Sequence, residues 1–343
     1  MRTGARVMIG LKMKTVLVTG ATGFLGRRLV HQLIEQGFTV RALVRESSNT
    51  MGLNRSGIEL VYGDVTDPDS LLPAFADIDF VIHAAAGTSG SEEQMRRVTI
   101  EGTRNILDMY RRFAPCKLVY ISSCSVYGIA GQPDGAVLNE SAPLEAQPHL
   151  RGSYSLTKLE AEKLVTDAME QGDVAATCLR PGTIYGPGGE NYTPMVGFSL
   201  KNKLFVVIDR NTFILPLVYV DNLVDAIIPA MTADKSTGQV YNVVDTEQID
   251  KKTYMNTFIR KLHPGALHLY FPYKLFAAIV VLQERAFGLL KRQPVISMYR
   301  LESSQNPVVY DVGKIRDELG WMPKVGFGEA VEEIIKSTSC KKP

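Results

Sequence analysis

Tyr154 and Lys158 stand four residues apart in a stretch of helical periodicity, Ser153-Tyr-Ser-Leu-Thr-Lys-Leu-Glu-Ala-Glu-Lys-Leu-Val165. That spacing projects both side chains from one helix face. A tyrosine with an ordinary pKa of about 10 is a poor base at neutral pH. A nearby ammonium favours the phenolate, so the pair can exchange a proton with a substrate hydroxyl or carbonyl. A second group suited to hold the same oxygen is Ser123, at the hydroxyl-bearing end of the apolar run Lys117-Leu-Val-Tyr-Ile-Ser-Ser123. On its own, a Tyr-x-x-x-Lys spacing is also what a surface pair looks like. Its meaning depends on the elements around it.

The element that gives it meaning lies near the N-terminus, in Val16-Leu-Val-Thr-Gly-Ala-Thr-Gly-Phe-Leu-Gly26. A β-branched apolar run ends at Thr19, glycines follow at 20, 23 and 26, and a helical pattern continues from Arg27. Gly20 permits the sharp turn out of the strand, Gly23 admits a pyrophosphate to the backbone, and Gly26 lets the helix lie tight against the sheet. The helix N-terminus then offers N–H groups to an anion. Strand, glycines and helix in this order predict a dinucleotide site formed by Gly20, Thr22, Gly23, Phe24, Leu25 and Gly26.

Further strands are expected at Thr39–Val44, Ile58–Asp64, Asp79–Ala86, Lys117–Ser123 and Val174–Arg180, with a long helix over about 92–112. This alternation predicts an α/β fold with a doubly wound parallel sheet. At the end of the second strand an acid would select NAD. Val44 is instead followed by Arg45, with Ser47 and Ser48 next, which suits the 2′-phosphate of NADP and leaves NAD as second choice. Asp64, with Val65, is placed at the adenine. Ala84, Ala85 and Ala86 leave room for a ligand across the sheet edge, with Thr88 beyond them. His83 reads as a buried strand residue. Ser153 reads as the N-cap of the Tyr154 helix, and 128–152, rich in glycine and proline, as a loop. Beyond Tyr185 the alternation breaks down. Residues 13–185 therefore form the dinucleotide-binding domain and 186–338 mainly a smaller, discontinuous substrate lobe, with about 212–245 returning to the first domain.

The formal charge of +2 gives no field for nucleic acid. Four scattered cysteines (Cys116, Cys124, Cys178, Cys340) suggest reduced thiols in a cytoplasmic setting and no metal site. Residues 1–12 read as a disordered leader, because the apolar run Val7–Leu11 is too short for a signal-peptide core. No stretch reaches the roughly eighteen uncharged apolar residues of a membrane span.

With these residues in place, the chain resembles an extended short-chain dehydrogenase/reductase of the NAD(P)-dependent epimerase/dehydratase superfamily. The resemblance spans about 13–338. It rests on Thr19-Gly-Ala-Thr-Gly-Phe-Leu-Gly26, Ser122-Ser-Cys-Ser-Val-Tyr-Gly128, Tyr154-Ser-Leu-Thr-Lys158, Arg180-Pro-Gly-Thr-Ile-Tyr-Gly-Pro187, Val218-Tyr-Val-Asp-Asn-Leu-Val-Asp-Ala226 and Leu319-Gly-Trp-Met-Pro323. It implies Ser123, Tyr154 and Lys158 as the catalytic set, Ser122 beside the cofactor, Pro181 and Thr183 near the nicotinamide, and Tyr185 with Thr88 toward the substrate. It also implies homodimers through a helix–helix face.

Departures bear on the substrate. Sugar-nucleotide members carry a diphosphate-binding arginine where this chain has Leu215-Pro-Leu217, and the nearest arginine to their second one is Arg300. The stretch 269–290 is apolar around much of its circumference. Its plainest reading is a core helix of the substrate lobe; a sharper one is a lid over a lipid-like substrate or a face on a membrane. These features resemble the 3β-hydroxysteroid dehydrogenase branch and imply NADP(H)-dependent oxidoreduction of a ketone or secondary alcohol on a largely apolar small molecule. A sugar-nucleotide 4-epimerase or dehydratase with tightly bound NAD is the alternative, and a non-catalytic nucleotide sensor a lesser one. An asparagine usual in the superfamily is Thr99 here, which questions a water or backbone bond but not the catalytic set.

Overall fold

The computed structural model describes residues 13–210, 213–292 and 294–339. Residues 1–12, expected as a leader, and Cys340 lie outside them. In chain order the strands are β1 Thr15–Thr19, β2 Thr39–Val44, β3 Ile58–Tyr62, β4 Phe80–His83, β5 Lys117–Ile121, β6 Ala136–Leu138, β7 Ala176–Pro181, β8 Thr183–Tyr185, β9 Gly197–Leu200, β10 Leu204–Asp209, β11 Leu217–Tyr219, β12 Val240–Val243, β13 Leu267–Pro272 and β14 Val308–Tyr310. The helices are α1 Phe24–Glu35, α2 Pro68–Phe75, α3 Glu92–Arg96, α4 Gly102–Phe113, α5 Pro148–Arg151, α6 Ser153–Glu170, α7 Val220–Thr232, α8 Lys251–Tyr254, α9 Arg260–Leu262, α10 Tyr273–Leu289, α11 Met298–Gln305, α12 Gly313–Leu319 and α13 Phe327–Ser339.

Seven strands form one parallel sheet in the order β12-β7-β5-β4-β1-β2-β3. The strand order reverses beside β1, and in such sheets the crevice beyond the strand ends at that point takes the ligand. The central strands are buried on both faces, as a sheet covered by helices requires. Val16 and Val18 enter the core shared with α1 and α7, while Leu17 enters the one shared with α2, α4 and α6. Strand β12 comes from beyond the first catalytic segments, so 240–243 complete the central sheet.

Five local expectations are corrected. The region 128–152 is not all loop: β6 pairs in parallel with β14, and α5 follows. Gly152, at φ +124°, occupies the N-cap position of α6; Ser153 is the first helical residue, and its hydroxyl donates to Glu92 Oε2 at 2.9 Å. The long helix is broken by a π-helical turn, Arg97–Glu101, between α3 and α4. Strands β3 and β4 also end earlier than expected, leaving Asp64 and Ala84–Ala86 in the loops at the sheet edge. The stretch expected as a substrate lobe holds a three-stranded sheet, β13-β10-β9, while the parallel β11–β8 pair joins 217–219, in the stretch expected to return, to 183–185. The expectation of a core helix over 269–290 gives way to β13 followed by α10, in which only Val280 is buried. Among the described residues no helix is long and apolar enough to cross a membrane.

Candidate active site

At the reversal point the three glycines do separate work. Gly20 adopts φ +73°, and a Cβ there would stand 2.8 Å from the Ala85 nitrogen and 2.9 Å from the Ala84 carbonyl carbon. The turn therefore nests directly against the end of β4. Gly23 is exposed at the N-cap of α1. A Cβ on Gly26 would meet the Gly20 oxygen at 2.1 Å, so this glycine closes the helix onto the turn itself rather than onto the sheet. No side chain caps α1, and its first turn has no acidic residue. Free N–H groups and a glycine cradle that any Cβ would obstruct fit a dinucleotide pyrophosphate.

The surrounding residues sort by what they have left to offer. Phe24 stacks against the 186–189 loop, where a Cβ on Gly189 would lie 2.7 Å from its ring. Leu25 is turned into the core, so only its backbone faces the turn. Val65 is also buried, against Gly102, and its carbonyl accepts from Asn105 at 2.8 Å. Asp64 Oδ1 is engaged by the amide and hydroxyl of Thr66, both at 2.9 Å. Arg45 is exposed at the end of β2, with Ser48 beside it. A cation that sequence reasoning passed over, Arg27, donates to Thr22 O at 3.0 Å and to the carbonyls of Asn49 and Met51, tying the loop after β2 to the glycine turn. Ala84, Ala85 and Ala86 are partly accessible, and Thr88 is exposed on the loop beyond. Thr99 keeps a backbone bond there, since its hydroxyl accepts from Gly87 N at 2.9 Å. His83 is fully buried between the Thr19 and Thr103 hydroxyls, at 2.7 and 3.0 Å, and burial pushes its pKa down to about 3. It stays neutral and structural.

Ser123, two residues beyond β5, caps a short 3₁₀ turn; its hydroxyl accepts from Ser125 N at 3.1 Å and lies close enough to the Tyr154 phenol to lower its pKa. The expected juxtaposition of Ser123 and Tyr154 is therefore formed. Burial raises the Tyr154 pKa, and the nearby Ser123 hydroxyl partly offsets that. Lys158, 4 % exposed, does not produce the expected lowering: its ammonium donates to Ile121 O at 2.7 Å and lies 5.3 Å from the Tyr120 ring centre. Desolvation brings the Lys158 pKa down to about 8. Pro181 ends β7; Thr183 donates its amide to Pro216 O at 2.6 Å, and its hydroxyl faces Met195 Sδ at 3.6 Å.

Two expected contacts are redirected. Ser122 donates its hydroxyl proton to Glu162, which leaves it no proton to donate to a cofactor. Tyr185 is 2 % exposed and packed between Tyr219 and Phe327, with ring centres 5.6 and 5.8 Å away, so it serves the core beneath the site.

The frame that holds α6 was not read from the sequence. Glu162 accepts from Arg180 Nε at 3.0 Å and from its terminal nitrogen at 2.6 Å; Arg180 also donates to Tyr127 Oη at 2.8 Å, and Tyr127 donates to Asn242 at 2.6 Å. This buried chain ties α6 to β7, β12 and the Ser123 loop. A Glu four residues after Lys158 and an Arg closing the next strand were its available signals. Ser125 was also missed, and its hydroxyl is buried without a partner two residues from Ser123. Leu215 and Leu217, 2 and 3 % exposed, are core residues, so no phosphate can be gripped from those positions. Arg300 lies at the start of α6, its guanidinium 3.7 Å from where a Gly152 Cβ would stand, and forms no ion pair among the described residues.

Residues 16–243 match the NAD dependent epimerase/dehydratase family. The chain is 29% identical to a 3beta-hydroxysteroid-dehydrogenase/decarboxylase isoform 1 of Arabidopsis thaliana, over 95% of this chain and 80% of that protein. It is 26% identical to a 2-alkyl-3-oxoalkanoate reductase of Stenotrophomonas maltophilia (strain K279a), over 95% and 99%. The crystal structure of gox2253 superposes with a TM-score of 0.79 at 24% identity, covering 94% of this chain and 98% of that one, which shows the fold. The chain belongs to the NAD dependent epimerase/dehydratase family and is an NAD(P)-dependent oxidoreductase.

Proposed function

We propose that the protein interconverts a ketone and a secondary alcohol on a largely apolar substrate, with NADP(H) as the redox partner. The observation that carries this reading is the Ser123 hydroxyl placed close enough to the Tyr154 phenol to lower its pKa, in a sheet that also carries the glycine cradle. The dinucleotide, when bound, supplies or accepts the hydride. Gly20, Gly23 and the first turn of α1 hold its pyrophosphate, and Arg45 and Ser48 receive the 2′-phosphate. Tyr154 transfers the proton at the substrate oxygen, Ser123 fixes that oxygen, and Lys158 donates to the ribose hydroxyls. The partnerless Ser125 hydroxyl is a further donor for the same oxygen.

The apolar substrate is supported by the buried Leu215 and Leu217 and by the names of the two relatives. Those names share a further feature, a carboxyl group, in a decarboxylase and in an oxoalkanoate reductase. Arg300 is an unpaired cation at the start of α6, suited to a carboxylate next to the reacting carbon. The test is a panel of sterol ketones, 3-oxo acids and UDP-sugars with NADPH and NADH. Turnover of apolar ketones that Tyr154→Phe lowers at least about 100-fold, with NADP binding kept, is the expected result. Full activity in Tyr154→Phe, or interconversion of UDP-sugars without added cofactor, overturns the reading. A preference for NAD removes the role given to Arg45.

A further inference from the structure

Helix α10 carries two apolar stripes, and only one has a partner. Tyr273, Phe276, Ala277 and Val280 face the protein, where Val280 packs with Ile208 of β10 and Leu301 of α11. Leu275, Ala278, Ile279, Leu282, Ala286 and Leu289 are all exposed. At about 100° per residue they form one stripe roughly 100° wide on the opposite side of the helix. Leu275 is 53 % and Leu282 64 % exposed, which a core helix would not show.

The neighbouring sheet extends this surface. Ile208 and Phe271, in register on β10 and β13, give α10 its footing. On the same sheet face, two and four residues back along the strands, lie Phe198, Leu269, Leu200 and Leu267, each exposed. Residues on the other face, such as Phe205 and Val207, are buried.

The charges around this face have one sign. Lys201 and Lys203 form the β9–β10 turn beside Leu200 and Leu267. Lys274 and Arg285 border the outer stripe of α10, and Lys291 with Arg292 follow its end. None of the six makes an ion pair among the described residues. The one acid between 267 and 296, Glu284, turns away and accepts from Met298 N at 3.0 Å. A chain with net charge +2 thus concentrates unpaired cations around its broad apolar face.

We propose that this face, the outer stripe of α10 with the exposed edge of the β13-β10-β9 sheet, docks on an anionic lipid bilayer. The apolar side chains enter the acyl boundary and the lysines and arginines sit among headgroup phosphates. The contact is peripheral.

Flotation of the full chain with vesicles tests this. Vesicles of phosphatidylcholine with about one-third phosphatidylglycerol should bind it, and phosphatidylcholine alone should bind it more weakly. Added salt should weaken the anionic binding. Leu282→Glu should lower partition at least about 10-fold, with thermal melting and NADP(H) binding as in the wild type. The double variant Lys274→Gln/Arg285→Gln should lose about 5-fold per charge on anionic vesicles and change little on neutral ones. Failure of the wild type to bind anionic vesicles, or unchanged binding by Leu282→Glu, overturns the proposal. A dimer that Leu282→Glu dissociates, without vesicle binding, assigns the face to a second copy instead.

Discussion

Replacing Lys158 by methionine should stabilise the cofactor-free protein at neutral pH while removing a residue the proposed chemistry uses. Lys158 is 4 % exposed, and burial brings its pKa from 10.5 to about 8. A tenfold change in proton affinity corresponds to about 1.36 kcal/mol, so the folded state disfavours this ammonium by about 3 kcal/mol. Below pH 8 the group is charged in both states, and the penalty is complete. Between about 8 and 10.5 the folded protein has released the proton and the unfolded chain has not, so wild-type stability rises with pH. Above 10.5 the contribution vanishes. Methionine has similar length and no charge, but it abandons the 2.7 Å bond to Ile121 O, a pH-independent loss of about 1–2 kcal/mol. The variant should therefore be more stable than wild type by about 1–2 kcal/mol at pH 7 and less stable by about the same amount near pH 10.5. Urea unfolding of both proteins across that range measures the crossover. Lys251, whose pKa burial lowers to about 7, titrates in both proteins and cancels in the difference. A stability difference that stays constant from pH 7 to 10.5 would refute the uncompensated charge.

Other perturbations read different parts of the site. Glu162→Gln leaves Arg180 buried without its carboxylate and should destabilise the protein by about 3–5 kcal/mol in urea unfolding. Gly20→Ala places a Cβ against the Ala84–Ala85 backbone at φ +73°, and titration calorimetry should show at least about a 10-fold loss in NADP affinity with circular dichroism unchanged. Leu215→Arg puts a charge at a 2 % exposed position, so it should unfold the protein at lower urea and give no UDP-sugar binding. Arg300→Gln should raise KM for 3-oxo acids about 10-fold or more and leave KM for neutral ketones unchanged, as steady-state kinetics would report.

The dinucleotide half of this molecule was legible because its signals are local. The β1 turn, β2 and the Tyr154 helix each announce themselves within about a dozen residues, through glycines, β-branched runs and helical spacing. What escaped depends on long-range pairing. Strands β6 and β14 are three residues each and meet across 172 positions, so 128–152 looks like pure loop until its partner is placed. Ser122 and Tyr185 belong to recognisable motifs, yet their side chains are claimed by Glu162 and by two aromatic rings. Neither claim is visible from neighbours in the sequence. In 269–290, apolar content was misleading in another way, since hydropathy records how much of a helix is apolar and not which stripe finds a partner. Thr99 shows the converse: the residue type departs from the family pattern, yet its hydroxyl on the π-helical turn accepts from Gly87 N.

The spacing Tyr-x-x-x-Lys does not by itself mark Lys158 as a working residue, since buried lysines occur elsewhere in the chain. Counting donors does. Each ammonium has three N–H groups. Lys117 gives them to Ala233 O and Ser236 Oγ, and Lys251 to Ile208 O and Gln305. Lys158 has one acceptor among the described residues, Ile121 O. The nearest candidate counter-ion is unavailable, because Glu162 directs one oxygen to Arg180 and shares the other between Arg180 and Ser122. The fold thus neutralises its structural arginine and leaves its lysine both desolvated and short of acceptors, beside Ser123 and Tyr154. A buried cation with open donors destabilises the empty protein, and such local violations persist where a ligand completes them. Ribose hydroxyls supply acceptors of the required kind. Cofactor binding should consequently raise the Lys158 pKa, and proton uptake measured on adding NADP near pH 8 tests that coupling. Absence of uptake would place the missing acceptors elsewhere and remove Lys158 from the ribose.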